Sequence, residues 1–168
     1  MLYSLAAAIG GALTKIADDY SEQKVRAIHI SFLAGIAYGA AIAAAVMIEP
    51  ALLPLLAGAT VGNIAAGKID RKEHVIASVI ILMACASQWV WDALPLAVAF
   101  ACAAFADEWL HGKSGGYGGI LARIIESRLA LPLLCLLLAP VSLAYAVYII
   151  IYDISYKAAG QRSRKSSA

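Results

Sequence analysis

Acidic residues recur in three short polar turns of the sequence, and two of the three turns also carry a histidine. In each turn an acid has a second acid or a histidine three or four residues away. The groups are Asp18, Asp19 and Glu22; Asp70, Glu73 and His74; and Asp107, Glu108 and His111. Because residues three or four apart lie on one side of a helix end, each group can present its ligand atoms together. Carboxylate oxygens suit Mg²⁺ or Mn²⁺, and imidazole nitrogens shift the preference towards Mn, Fe or Zn. The spacing therefore predicts a divalent-metal site wherever these turns meet.

The predicted ligands, with Mg²⁺ or Mn²⁺ as the cofactor, are Asp18, Asp19, Glu22, Asp70, Asp107 and Glu108. Two lysines lie beside the turns, and we expect Lys15 and Lys68 to pair with the oxygens of a phosphate group. The imidazole of His74 or His111 would act as the acid or base, because it titrates near neutral pH. The alternative is that these charges are solvated turn residues that form no site.

The composition indicates where such turns would lie. Of the 168 residues, 62% are hydrophobic and 14% are charged, whereas soluble domains average about 45–50% and about 25%. The mean hydropathy is +0.81, and the charges are clumped, which leaves long uncharged runs that must face lipid or one another. The sequence therefore predicts an all-α, polytopic helical membrane bundle.

About six transmembrane helices in three hairpins account for the apolar runs: residues 1–17, 27–48, 51–67, 74–90, 93–110 and 129–156. The last run would be about 42 Å long as one helix, which exceeds a hydrocarbon core of about 30 Å. It must tilt, project from the membrane, or break at Pro140 into a hairpin. Residues 120–128 predict a short amphipathic helix at the interface, with Arg123 and Glu126 among apolar residues.

We define the motif face as the end of the bundle that carries the three polar turns. It holds nine of the thirteen basic residues, eight of the eleven acids and all three histidines. The positive-inside tendency makes this face cytoplasmic. Residues 1–156 form a single transmembrane domain, and we expect the polar tail, 157–168, to be disordered. Six full spans, the preferred model, place this basic tail on the opposite side, whereas a hairpin broken at Pro140 returns it to the motif face.

Side-chain size and spacing predict how the helices pack. Small residues one turn apart let helix backbones approach closely in lipid, and the same faces are candidates for a homo-oligomer. These pairs are Ala7 and Gly11, Gly35 and Gly39, and Gly58 and Gly62. Tyrosines at three- to four-residue spacing in the last run predict a stripe used for packing and hydrogen bonding. They are Tyr145, Tyr148, Tyr152 and Tyr156.

Two functions fit this layout. The first is a divalent-metal-dependent membrane enzyme that acts on a lipid or polyprenyl phosphate at the cytoplasmic interface. The second is a small divalent-cation or proton-coupled transporter or channel, with the acids as an entrance ring. A structural membrane protein without a catalytic site is the remaining alternative. Transporter sites usually lie near the bilayer midplane, whereas these charges lie at span ends, which favours interfacial chemistry. Whether the protein is an enzyme stays open. The expected partners are membrane lipids and a lipid-phosphate substrate, not nucleic acid.

Overall fold

The computed structural model describes residues 1–22, 28–113 and 127–166, except for the side chains of residues 22, 28 and 161–166. Over these residues the protein is all-helical and has no β-strand. The seven α-helices are α1 (Leu2–Glu22), α2 (Ile28–Ile48), α3 (Leu53–Ala65), α4 (Lys72–Ser87), α5 (Leu94–His111), α6 (Ala130–Leu137) and α7 (Leu143–Ser166). Most of the predicted interfacial helix, 120–128, lies outside the described residues.

Local sequence explains where α3 begins and ends. A 3₁₀ turn, Pro50–Leu52, leads into the helix, and Pro54 stands in its first turn, where a missing N–H costs no hydrogen bond. At the other end Gly67 adopts a left-handed φ of +72°. The N–H groups of Gly67 and Lys68 then bond the carbonyls of Ile64 and Asn63, which closes the helix with a Schellman motif. The second polar turn starts at this cap.

Four helix pairs pack closely along their length in the described part of the chain, and three of the four run in parallel. Helices α1 and α2 are antiparallel, with Ala17 beside Ser31 and Gly10 beside Ile42. The parallel pairs are α2 with α4, α3 with α5, and α1 with α7. The contacts that set these directions are Gly35 with Glu73, Gly39 with Ala77, Gly58 with Ala97, Gly62 with Ala101, Gly11 with Tyr152, and Asp18 with Tyr156. Of the three predicted hairpins, only α1 and α2 pack closely along their length.

The predicted close approach at the small-residue pairs is confirmed. A Cβ added at Gly35 would lie 2.5 Å from the carbonyl oxygen of Glu73, and one added at Gly39 would lie 2.8 Å from the Cα of Ala77. Gly11, Gly58 and Gly62 approach backbone atoms of α7 or α5 equally closely. Because these faces are filled by helices of the same chain, they are not free to contact a second copy. A homo-oligomer stays a prediction, but one that would use other surfaces than these small-residue faces.

The last apolar run is not one continuous helix, so the preferred expectation of a full span there is wrong. Helix α6 ends at Leu137 and α7 begins at Leu143, with Pro140 in the break between them. Helix α7 then runs parallel to α1, back to the motif face, as the alternative predicted. It continues to Ser166, so residues 157–166 are helical rather than disordered. Extending an existing helix costs little for such residues, because nucleation is the unfavourable step.

Two described segments, His29–Ile48 and Trp91–His111, are long and apolar enough to cross a membrane. The core helix of a soluble protein can pass the same test, as can a signal sequence in the case of the segment near the N-terminus. Helix α3 with its 3₁₀ turn, Pro50–Ala65, is apolar but shorter. The all-helical class is therefore confirmed, whereas a bundle of six membrane spans is not.

Candidate functional site

A cavity of about 1150 Å³ lies at the centre of the bundle, and side chains of all seven helices line it. The three polar turns meet at its motif-face end, which we call the rim. Predicted site residues in its lining are Lys15, Asp18, Lys68, Asp70, His74, Asp107, Glu108 and His111. Asp19 pairs with Lys15 at 2.6 Å beside the cavity, and the side chain of Glu22 lies outside the described residues. Residues about fifty positions apart in the sequence therefore share one pocket.

Four helices contribute to a hydrogen-bonded chain on one side of the rim. The Tyr38 hydroxyl lies 2.7 Å from Nδ1 of His74, and Nε2 of His74 lies 3.1 Å from Oδ1 of Asp18. The hydroxyl of Tyr156 donates to the other carboxylate oxygen of Asp18 at 2.6 Å. This chain fixes the relative positions of α1, α2, α4 and α7 at the rim.

Charges and hydrogen bonds determine the ionisation of Asp18 and the position of the protons in this hydrogen-bonded chain. Burial alone would raise the pKa of Asp18, but hydrogen bonds from His74 and Tyr156, with the charges of His74 and Lys15, hold that pKa below its usual value. An ionised carboxylate only accepts hydrogen bonds, so Nε2 of His74 carries a proton. When the imidazole is neutral, Nδ1 therefore accepts a hydrogen bond from the Tyr38 hydroxyl. Asp18 therefore sets the orientation and tautomer of His74.

Asp107 has a structural partner on the other side of the rim. Its two carboxylate oxygens accept the backbone N–H groups of Ala130 and Leu131, at 2.7 Å and 2.8 Å. These are the first residues of α6, where N–H groups have no partner within the helix and the dipole favours negative charge. Asp107 thus joins α5 to α6, although local spacing had suggested a shared ligand set with His111.

Glu108 is held by two cations. Lys68 Nζ lies 3.4 Å from one carboxylate oxygen, and Arg128 Nη1 lies 3.0 Å from the other. Arg128 has a left-handed φ of 50°, a conformation that costs a non-glycine residue about 1 kcal/mol or more. The guanidinium of Arg71 donates to the hydroxyl of Ser21. Both arginines are rim residues that the metal and phosphate predictions did not include.

The described carboxylates do not converge on one point. Within the described ranges, no three histidine, cysteine, aspartate or glutamate side chains could hold a metal ion. Asp18, Asp107 and Glu108 are bound by protein donors, whereas Asp70 is exposed and has no hydrogen bond or ion pair to another described side chain. A metal bound there stays a prediction.

Besides the two arginines, Tyr38 and Tyr156 are site residues that the sequence did not identify. Tyr38 lies in the middle of an apolar helix, and Tyr156 belongs to the predicted tyrosine stripe. The stripe itself is confirmed: Tyr145 packs edge-on against Phe100, and Tyr152 stacks on Tyr148 while donating to Thr14. The position of Tyr156 directly before Lys157, at the polar end of the stripe, was the available signal.

Comparison with known proteins gives no assignment. No family model, curated protein or solved structure matches this chain.

Proposed function

We propose that this chain is an integral membrane protein that binds a lipid phosphate at the rim and acts on the phosphate group there. The observation that carries the proposal is that the three polar turns line one cavity. Two apolar helices of membrane-spanning length support the location, and the positive-inside tendency makes the rim cytoplasmic. That the other apolar helices also cross the membrane, with the last apolar run as a hairpin broken at Pro140, belongs to the same proposal.

The charges of the rim suggest how the phosphate is held. Among the described residues, five basic and five acidic side chains line the cavity: Lys15, Lys68, Arg71, Arg128 and Lys157, and Asp18, Asp70, Asp107, Glu108 and Asp153. Because these described charges balance, the site suits a phosphate that arrives with its own cation. Mg²⁺ is commonly bound by one or two carboxylates together with substrate phosphate oxygens, rather than by a cage of protein ligands.

In this proposal Asp70, which has no partner among the described side chains, supplies a carboxylate, and Mg²⁺ neutralises phosphate charge. Lys68 is half-exposed and lies 3.4 Å from Glu108, so it can turn to a phosphate oxygen. The network around His74 provides an oriented imidazole at the same rim. Nδ1 can take the hydroxyl proton of Tyr38 while the hydroxyl oxygen of Tyr38 takes a proton from a bound molecule.

The test is binding of phosphatidic acid to the full chain in nanodiscs made of a neutral lipid. We expect saturable binding that weakens when EDTA removes Mg²⁺, and that weakens by about tenfold in Lys68→Ala, since a hydrogen bond to a charged group is worth about 1.5–3 kcal/mol. Lys113→Ala is the matched control, because Lys113 packs over the ring of Trp109. Equal affinity in the parent and Lys68→Ala would reject the proposal.

A transporter is the second candidate, and the break between α6 and α7 favours it. Transport sites are often built from discontinuous helices that meet inside the bundle, and α6 has eight residues, about 12 Å. Flux of a divalent cation or of protons into liposomes containing the protein, without turnover of a lipid phosphate, would support this candidate. Turnover without flux would support the enzyme.

A further inference from the structure

The cavity changes character with depth. Its rim is polar, whereas the end farthest from the motif face is lined by buried aliphatic side chains of three different helices. These are Ile42 of α2, Leu55 and Leu56 of α3, and Ile81 of α4. Their exposed fractions are 7%, 1%, 6% and 4%. We call this end the floor.

Helix geometry gives the distance from rim to floor. On α3, Asn63 at the rim and Leu55 at the floor are eight residues apart, which is about 12 Å at 1.5 Å per residue. On α4 the seven residues from His74 to Ile81 span about 10 Å. Two helices therefore agree on the depth of the floor below the rim. The hydroxyls of Thr60 and Ser78, which lie between, donate to backbone carbonyls of their own helices.

The surroundings of the floor distinguish it from a lipid-facing groove. Helices α2, α3, α4 and α7 surround it, and the neighbouring cavity wall contains the ring of Tyr148, which is 2% exposed. A separate apolar groove, lined by Ala86, Trp89 and Val98, lies between α3, α4 and α5. A chain in the floor would thus be inside the protein rather than in the bilayer.

We infer that the ligand of this cavity is an amphiphile whose hydrocarbon chain enters the bundle, and that the floor limits how much of that chain fits inside. This rests on the proposed function, because the rim must hold the phosphate while about 12 Å of hydrocarbon chain extends from the rim to the floor. Each methylene that enters leaves water and contributes to binding, and a methylene beyond the floor does not. The floor residues therefore determine chain-length specificity.

The experiment measures binding of a homologous series of alkyl phosphates, from butyl to hexadecyl phosphate, to the full chain in nanodiscs. In the parent we expect affinity to rise by up to about fourfold per methylene and then to level off once the chain spans the cavity. Ala59→Phe places a ring halfway down the cavity, one turn above Leu55. In this variant the affinity should level off several methylenes earlier than in the parent, and butyl phosphate should bind as tightly as it does to the parent.

Two further variants make the result decisive. Ala86→Phe puts the same ring on the separate groove and should leave the whole series unchanged. Ile81→Ala deepens the floor and should move the plateau to a longer chain, which tests the inference even where Ala59→Phe does not fold. Identical chain-length profiles in the parent and the floor variants would show that the chain lies in the bilayer, and would overturn the inference.

Binding of butyl phosphate, which is too short to reach the floor, tests the proposed function separately from the inference about the hydrocarbon chain. If butyl phosphate does not bind the parent, or binds Lys68→Ala equally well, the rim is not a phosphate site and both proposals fall. If butyl phosphate binds in a Lys68-dependent way while the floor variants match the parent, only the inference about the chain is lost.

Discussion

Replacement of Gly35 by alanine tests the packing that positions the site. An added Cβ would lie 2.5 Å from the carbonyl oxygen of Glu73 and 2.9 Å from its Cα, whereas ordinary contact begins at 3.4 Å. Two of the three nearest atoms are backbone, so no side-chain rotation relieves the clash. Helices α2 and α4 must therefore separate by roughly 0.9 Å, the difference between 3.4 Å and 2.5 Å.

The cost has two parts of opposite sign. Overpacking of this kind costs about 1–3 kcal/mol, and replacing a mid-helix glycine by alanine returns about 0.5–1 kcal/mol. The difference between these ranges is about 0–2.5 kcal/mol, and because backbone atoms cannot rotate away, we expect a net loss of about 1–2 kcal/mol in the free energy of unfolding. The same separation would lengthen the 2.7 Å contact between Tyr38 and His74 to roughly 3.6 Å, beyond hydrogen-bonding distance.

Thermal unfolding followed by circular dichroism measures the loss, and Gly112→Ala is the control. A Cβ at Gly112 would lie 3.6 Å from its nearest neighbours, in ordinary contact, so this variant should be neutral or slightly stabilising. Equal stability of Gly35→Ala and Gly112→Ala would refute the backbone contact between α2 and α4, and with it the basis for placing Tyr38 beside His74.

Two further predictions concern the rim carboxylates. Asp107→Asn should lower the free energy of unfolding by about 1–3 kcal/mol, because an amide has one acceptor oxygen for the two N–H groups of α6. Asp70→Asn, at an exposed position, should change it by less than about 0.5 kcal/mol, and equal losses would contradict the capping role. The pKa of Asp18 lies below its ordinary 3.8, so its ionised form stabilises the fold above about pH 4, and this contribution disappears as the pH falls through the lowered pKa. The stability advantage of the parent over Asp18→Asn should therefore shrink on acidification, and a difference that stays constant from neutral pH to pH 3 would exclude this origin.

The spacing of apolar and small residues predicted where the helices lie in the sequence, but not which helices pack against each other. Small residues one turn apart identified where backbones touch, because only such residues permit that distance. The pattern could not tell whether Gly35 and Gly39 meet α4 of the same chain or a second copy, since both offer an apolar surface. Likewise Pro140 made a break possible, but the direction of α7 depends on its contact with α1.

In the candidate site, too, local features could be predicted from the sequence, whereas contacts between distant segments could not. Clustering of charge predicted that the three turns share a rim, and residues such as Asp18 and Lys68 do lie there. The role of Asp107 could not be predicted, because its partners are backbone groups more than twenty residues away, at the start of α6. Tyr38 was equally inaccessible to sequence reasoning, since its hydroxyl matters only once α4 lies alongside α2.

The pairing of α1 with α7 has a consequence for biosynthesis. Thr14 and Asp18 obtain the hydroxyl partners Tyr152 and Tyr156 from a segment 138 positions later in the chain. Until the ribosome has released that segment, the first helix carries polar groups with these bonds unmade, and contacts of such large sequence separation form slowly. A nascent chain arrested before Tyr152 should accordingly be a preferred substrate for quality-control proteases.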